Sequence, residues 1–370
     1  MRASEFVVIG GGTVGAAVSY GLAKAGAAVT LLDEGDIAFR AARGNFGNVW
    51  VLGKGATEPA YADLSRRTAD DWKDFAAMLE ADTGIDVHYR RPGGCFICLT
   101  ETELMQRATM LEELNRKASV KSRVEVLSRE EIAKRLPAVG PDVVGAIYSP
   151  HDGSANPLYL LRALMTALIK FGGRYRSHSC VRSVKREGGC FRIDTDGGPV
   201  HCGSVVFCGG LGNAKLAPQL GLSAPVRPVR GQILVTEKVK PFLPFGVSFI
   251  RQTDEGGCLF GESSEEAGFD DATTLPVLRD NARRAVTVFP LLRDLRVVRS
   301  WSALRIMTPD GVPVYDQTAE TPRAYALSVH SGVTLAPFHA GAMARAIRDG
   351  GLDLNLVAPF SPKRFDVQAA

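Results

Sequence analysis

One short run near the N-terminus constrains the fold more than any other feature of the chain. Phe6-Val7-Val8-Ile9 is apolar without alternation, as strands buried on both faces of a parallel sheet are. It leads into Gly10-Gly11-Gly12-Thr13-Val14-Gly15, an alanine-rich stretch to Ala25, Gly26, and a second strand-like run Val29-Thr30-Leu31-Leu32 closed by Asp33. Strand, glycine turn, helix, strand and acid in this order spell a βαβ dinucleotide unit. Gly10 is expected at the tight turn, Gly12 where backbone approaches a pyrophosphate, and Gly15 where the helix packs on the sheet. The helix N-terminus, with Thr13 and Val14 in its first turn, offers free amides and the positive dipole end to phosphates. Asp33 stands 18 residues beyond Gly15, where a carboxylate can accept from a ribose diol. An ADP-containing cofactor follows, and this stretch alone leaves FAD and NAD both open.

The 370 residues are many for a single core, so two domains are expected. A net charge of +4, dispersed and without basic clusters among aromatics, argues against nucleic acid as a partner. No apolar run is long enough to span a bilayer. The first strand begins within about five residues, too few for a signal peptide. Seven cysteines, an odd number, fit reduced thiols better than a disulfide framework, and cytoplasmic is the expected location.

Periodicity and punctuation divide the chain further. A loop without clear period covers 34–57, and a length beyond about 15 residues is usually functional or disordered; its Phe46, Val49 and Trp50 favour order around something. Pro59 opens a helix ending near Gly84. Strands are expected over 86–91 and 94–100, a helix over 101–117, and a capping box at Ser128-Arg129-Glu130-Glu131. Later segments read as strands near 145–148, 174–178, 181–186, 190–194 and 200–207, the last running into Cys208-Gly209-Gly210. Strands resume from 226, a helix covers 276–289, a strand carries Trp301 to Met307, and a final helix covers 337–347. The expected fold class is α/β with α+β. A Rossmann-like domain of residues 1–85, 144–224 and 298–370 is interrupted by a discontinuous domain, 86–143 and 225–297, with a mixed or antiparallel sheet.

With these residues in hand, the chain resembles the D-amino-acid oxidase, glycine oxidase and sarcosine oxidase superfamily of flavoproteins over nearly its whole length. The resemblance rests on the N-terminal fingerprint, the loop Arg43-Gly44-Asn45, Arg230-Gly231-Gln232, Trp301-Ser302-Ala303-Leu304-Arg305 and His330-Ser331-Gly332-Val333-Thr334. Ala303 departs from the glycine usual in the family and is expected to tighten the floor of the substrate site. The runs around Gly44–Val51 and Ser331–Pro337 look most like the beta subunits of opine oxidase, D-hydroxyproline dehydrogenase and hydrogen cyanide synthase.

The resemblance implies FAD rather than NAD, because cofactor contacts come from three separated places. Gly10, Gly12, Thr13, Val14, Gly15, Asp33 and Glu34 are expected to hold the ADP half. Ala42, Arg43, Asn45 and Gly47 resemble the loop passing the pyrophosphate and ring. Val181 resembles the residue whose backbone meets the adenine, with Cys208, Gly209 and Gly210 packing beside it. Gly332, Val333, Thr334 and Leu335 resemble the family's flavin loop, and the helix N-terminus after them is expected to stabilise charge developing on a reduced ring. No cysteine or histidine matches a covalent attachment point, so the FAD is expected to be non-covalent.

Arg305 is the expected carboxylate clamp and catalytic residue, since a guanidinium binds carboxylates bidentately and keeps its charge at any working pH. Trp50, Tyr89 and His330 are further substrate-site candidates, against the commoner roles of core aromatic and hydrogen-bonded histidine. Cys95 and Cys98 read as buried strand cysteines and not a metal pair. The expected activity is FAD-dependent oxidation of the C–N bond of an amino acid or opine, with electrons passed to partner subunits. An oxygen-using oxidase, a catalytically silent flavin protein and an NAD-dependent dehydrogenase are the alternatives.

Overall fold

A computed structural model describes residues 4–35, 40–352 and 357–369. Residues 36–39 of the expected long loop, 353–356 of the weakly patterned tail, and both extreme ends lie outside the described residues.

The first sheet runs in the order Val314–Asp316, Ala324–Ser328, Val200–Phe207, Ser4–Ile9, Val29–Leu32, Arg174–Arg176. The middle strands are parallel, with Phe6 opposite both Ser204 and Val29. Their unbroken apolar runs are accounted for by cover on both faces: Phe6, Val7, Val8 and Leu31 have no exposed surface. The hairpin Val181–Glu187 and Cys190–Thr195 joins through Val200–Phe207. The helix Thr13–Lys24 packs against Pro157–Lys170 and against the closing helix. That closing helix starts as Ala336–Phe338, widens to a π-turn over His339–Met343 and ends as Ala344–Arg348. Gly21 permits the approach, since a Cβ there would lie 2.1 Å from the Ala340 carbonyl oxygen.

The second sheet has the order Val297–Met307, Arg227–Lys238, Gly257–Phe260, Ile250–Gln252, Gly246–Val247, Gly94–Cys98, Gly145–Ser149, Glu125–Ser128. All its neighbours are antiparallel except Gly246–Val247 beside Gly94–Cys98. Helices Leu275–Val288 and Arg129–Arg135 contribute to its core with Cys95, Ile97, Phe249 and Phe289. Cys95 and Cys98 are both buried in their strand, and burial pushes both thiols up. The strands Gly145–Ser149 and Val297–Met307 pair in this second sheet, although the expected partition puts them with the dinucleotide unit.

Two local differences have direct causes. No strand forms over 86–91, because the Asp86 carboxylate accepts from the His88 amide at 2.7 Å and turns the chain, with His88 at φ 52. Within the long loop, Asn48–Val49 pairs antiparallel with Gly153–Ser154. The loop is thereby tied to the segment that precedes helix Pro157–Lys170.

Candidate active site

The glycine turn behaves as its spacing requires. Gly10 adopts φ +105, and a Cβ there would lie 2.5 Å from the Cys208 carbonyl oxygen. At Gly15 a Cβ would meet the Gly10 carbonyl oxygen at 2.0 Å, so helix and turn close only without side chains. Cys208 and Gly209 therefore form the wall behind the turn, while Gly209 donates its amide to Asn213 Oδ1 at 2.8 Å. At Gly12, by contrast, a Cβ would find only the Ala42 methyl group, at 3.6 Å. The space above it is open, bounded by the Arg43 loop.

Around that space stand donors without partners among the described residues. No side chain caps the helix at Gly12, so the first-turn amides of Thr13, Val14 and Gly15 are available. Thr13 Oγ1 is buried without a partner among the described residues. Asp33 takes the Gly11 amide at 2.6 Å and the Gly35 amide at 2.9 Å, which fixes its carboxylate at the strand end. Glu34 is exposed and paired with Arg40 at 2.6 Å, and Val181 opens its strand nearby, half-buried. These residues fit a nucleotide and its pyrophosphate.

The loop after Asp33 is braced from within. Asn45 Nδ2 donates to the Ala41 and Ala42 carbonyls at 3.0 and 2.9 Å, and its Oδ1 accepts from the Gly47 amide at 2.7 Å. Asn45 thus shapes the loop with its whole side chain. Arg251, buried in the second sheet, donates to the Phe46 carbonyl and, at 3.0 Å, to the Ala155 carbonyl. The closing loop is tied to the same segment. Thr334 Oγ1 accepts from the Trp50 amide at 3.0 Å, and the Thr334 carbonyl accepts from Trp72 Nε1 at 3.0 Å. Against Thr13 and Val14 lies Gly332, whose Cβ would stand 3.3 Å from a Val14 methyl group. The residues expected at the two ends of a flavin dinucleotide are therefore neighbours, though more than 300 positions apart in the chain.

Arg305 comes to this place from the second sheet. Trp301, Ala303 and Arg305 share one face of Val297–Met307 by alternation. Trp301 Nε1 donates to the Gly44 carbonyl at 3.1 Å, and a Cβ on Gly44 would lie 2.6 Å from the Ala303 methyl group. Ala303 is accommodated because Gly44 has no side chain. The guanidinium lies over Gly231, where a Cβ would be 2.5 Å from Nη2, and Nη1 donates to the Ser263 carbonyl at 2.8 Å. Its acidic neighbours are committed elsewhere: Glu265 pairs with Arg230 at 2.8 Å, and Glu262 with Arg284 at 3.2 Å. Among the described residues no carboxylate forms an ion pair with Arg305. Burial lowers its pKa from the ordinary value, so it is a desolvated cation awaiting an anion.

His330 joins the same site. Burial first, then the Lys54 and Arg305 charges, hold its imidazole down to about 3, and it is neutral across the working range. Trp50 and Tyr89 do not belong there. The Trp50 ring packs edge-on to Phe96 with Leu52, Leu111 and Ile147, and Tyr89 stacks on Trp72 with centroids 5.1 Å apart. Two bonds to Thr334 fix the Trp50 backbone and the Trp72 indole on which Tyr89 stacks. Gly210 faces Ile306 and not the turn.

Residues 5–346 match the family model described as FAD dependent oxidoreductase. The chain belongs to this family. It is an FAD-dependent oxidoreductase, and the residues just described fit the cofactor that the family carries. The chain is 41% identical to the opine oxidase B subunit of Rhizobium meliloti, over 99% of each chain. It is 39% identical to the corresponding opine oxidase polypeptide of Agrobacterium tumefaciens (strain Ach5), again over 99% of both. Among solved structures, glycine oxidase from Geobacillus kaustophilus superposes with a TM-score of 0.88 at 24% identity, covering 98% of each chain; this likeness speaks to the fold. No helix among the described residues is long and apolar enough to cross a membrane.

Motif reading alone misses Lys54, Tyr61, Arg251 and Asp152: Lys54 and Tyr61 both donate to Ser331 Oγ, and Asp152 accepts from the Val51 and Leu52 amides. One signal for Lys54 was present: it is the only charged residue in the run 45–57.

Proposed function

We propose that this protein oxidises the C–N bond of an α-amino acid carrying a substituent on nitrogen, of the opine or D-hydroxyproline type. The product is an imine, which water hydrolyses. The observation that carries the reading is Arg305: a half-buried guanidinium, seated over a glycine, unpaired with any carboxylate among the described residues and on the strand whose Trp301 and Ala303 meet the Gly44 loop. When bound, FAD supplies the acceptor for the hydride leaving the substrate carbon. Arg305 holds the substrate carboxylate and so fixes which C–H faces that acceptor. The Arg305 cation favours the neutral form of the substrate amine, the form that can expel a hydride. His330 is neutral, and no general base is required by this scheme.

Similarity to two opine oxidase B subunits supports an opine-type substrate and the passing of electrons to a partner subunit. The test is anaerobic mixing of the FAD-loaded protein with a panel of amino acids and N-substituted amino acids. Bleaching of the flavin by an N-substituted amino acid is expected. Arg305→Met should slow that bleaching by roughly a hundredfold or more, the cost of leaving a buried carboxylate without its partner. Bleaching unchanged in Arg305→Met, or no bleaching by any amine, overturns the assignment.

A further inference from the structure

Strand Val297–Met307 ends the second sheet and pairs with Arg227–Lys238 alone among the described residues. Its two halves are covered differently. From Trp301 onward every residue is buried or half-buried: Trp301 gives its indole N–H to the Gly44 carbonyl, and Ile306 lies against Gly210. Val297, Val298, Arg299 and Ser300 are all exposed, the two valines to 50% and 62%. No strand among the described residues pairs with the outer edge of these four, and such an edge is a template for another strand. The far end of the same sheet is closed off. Glu125–Ser128 there has four residues, and Glu125 is held by Arg123 at 2.8 Å and by Arg135 at 2.6 Å. A short strand with its charges already paired recruits no neighbour.

The exposed half-strand carries charge of one sign. Arg293 and Arg296 precede it, Arg299 lies within it, and Asp294 is the only acid of 293–300, which leaves three arginines against one aspartate. Arg293 and Arg296 are exposed and form no ion pair among the described residues, and the Arg299 guanidinium lies 5.8 Å from the Trp301 ring centroid. Across the ladder, Glu237 and Lys238 offset each other in charge, and a Glu237 oxygen accepts the Arg296 amide at 2.9 Å. The pairing also shifts register here: Val297 lies opposite Thr236 and Arg299 opposite Val235, so Val298 is an extra residue in the exposed strand. A bulge of this kind bends the edge.

These features choose among the occupants of an open edge. A second copy of the chain would bring the same arginines and the same bulge, and like charges across a strand pair repel. A lipid surface would leave the outer N–H and C=O groups without partners in an apolar phase. An extended acidic segment meets every requirement: its backbone completes the ladder, its carboxylates face the arginines, and its alternate apolar residues cover the two valines. We infer that the edge Val297–Ser300 is a docking site for an extended acidic segment of a partner polypeptide, which adds one strand to the second sheet. Docked there, the segment passes about 10 Å along the strand from Trp301, whose indole holds the Gly44 carbonyl. Docking is independent of which amine the protein oxidises.

The test uses the FAD-loaded full chain and three capped peptides, each about eight residues long: glutamate alternating with valine, lysine alternating with valine, and the acidic peptide with a central proline. Binding is read by fluorescence anisotropy of the labelled peptide, and its place by amide hydrogen exchange. At low salt the acidic peptide should bind about tenfold or more tighter than the lysine peptide. The proline, which removes a ladder donor, should weaken binding about tenfold. Exchange within 297–300 should slow when the acidic peptide binds. The double variant Arg293→Glu, Arg296→Glu should lose the preference for the acidic peptide while its flavin absorbance and melting temperature stay those of the wild type. Exchange in the wild type decides the place of binding even where that variant folds poorly. Equal binding of acidic and basic peptides, slowed exchange confined to other segments, or a preference unchanged in the folded double variant overturns the inference. Self-association of the wild type that slows the same amides would give the edge to a second copy. Attachment to phosphatidylserine vesicles without binding of the acidic peptide would give it to a lipid surface, and either result overturns the inference as well.

Discussion

At the scale of single residues, the site works by placing polar groups where water cannot serve them. Among the described residues, Arg305 is a cation without an ion-pair partner and Thr13 a buried hydroxyl without a hydrogen-bond partner. Asp152 is a further case with a different consequence. Burial pushes its carboxyl up from 3.8 to about 7 against the hydrogen bonds from Val51 and Leu52. A carboxyl whose pKa is higher folded than unfolded binds protons more tightly in the native state. Its stabilising contribution is fully present below the unfolded value of 3.8 and is lost as pH rises through about 7. Asp152→Asn keeps an acceptor for the two amides and does not titrate. The melting temperature of Asp152→Asn minus that of wild type should therefore increase from pH 4 to about pH 7 and level off above it. Calorimetric scans of both proteins at four pH values check this, and a difference independent of pH would contradict it.

At the scale of elements, the closing loop is held by contacts with segments that are remote in sequence. Trp72, wholly buried on helix Pro59–Thr83, gives its indole N–H to the Thr334 carbonyl. Trp72→Phe leaves that carbonyl without a donor, at a cost of about 1–3 kcal/mol. FAD should dissociate roughly tenfold more readily while the helical content, read by circular dichroism, stays the same; equilibrium FAD binding measures it. Elements with strong local signals were legible in the sequence. The helix expected over 101–117 is Glu101–Lys117, capped by Thr100, and the Ser128 capping box is present in full. Strand 86–91 was not legible as a turn, because an Asx bond and one left-handed residue outweigh its apolar pattern. Asn48–Val49 and Val314–Asp316 are too short to show a period and exist only through their partners. For the site, the glycine turn was readable because backbone geometry fixes it, and Arg305 was proposed from the chemistry of a guanidinium and a strand that resembles the family's. Lys54, Tyr61 and Ser331 meet only in three dimensions, and no spacing links them.

At the scale of the whole molecule, two sheets supply different halves of the chemistry. The parallel sheet and its N-terminal helix make the cradle that fits a dinucleotide, and the long strand Val297–Met307 carries Arg305, the proposed substrate clamp, from the other sheet. The seam between them is the loop Arg43–Lys54, fastened by Trp301 to one side and by Thr334 to the other. The central claim is that this seam sets a flavin ring and the Arg305 guanidinium around a single substrate. An experimental structure of the FAD-loaded protein with an unreactive carboxylate-bearing substrate analogue bound tests it most directly. The account predicts the ring edge against Gly332–Leu335 and the carboxylate of the analogue on the Arg305 guanidinium. A ring far from Val333, or a ligand whose carboxylate does not touch Arg305, would contradict it.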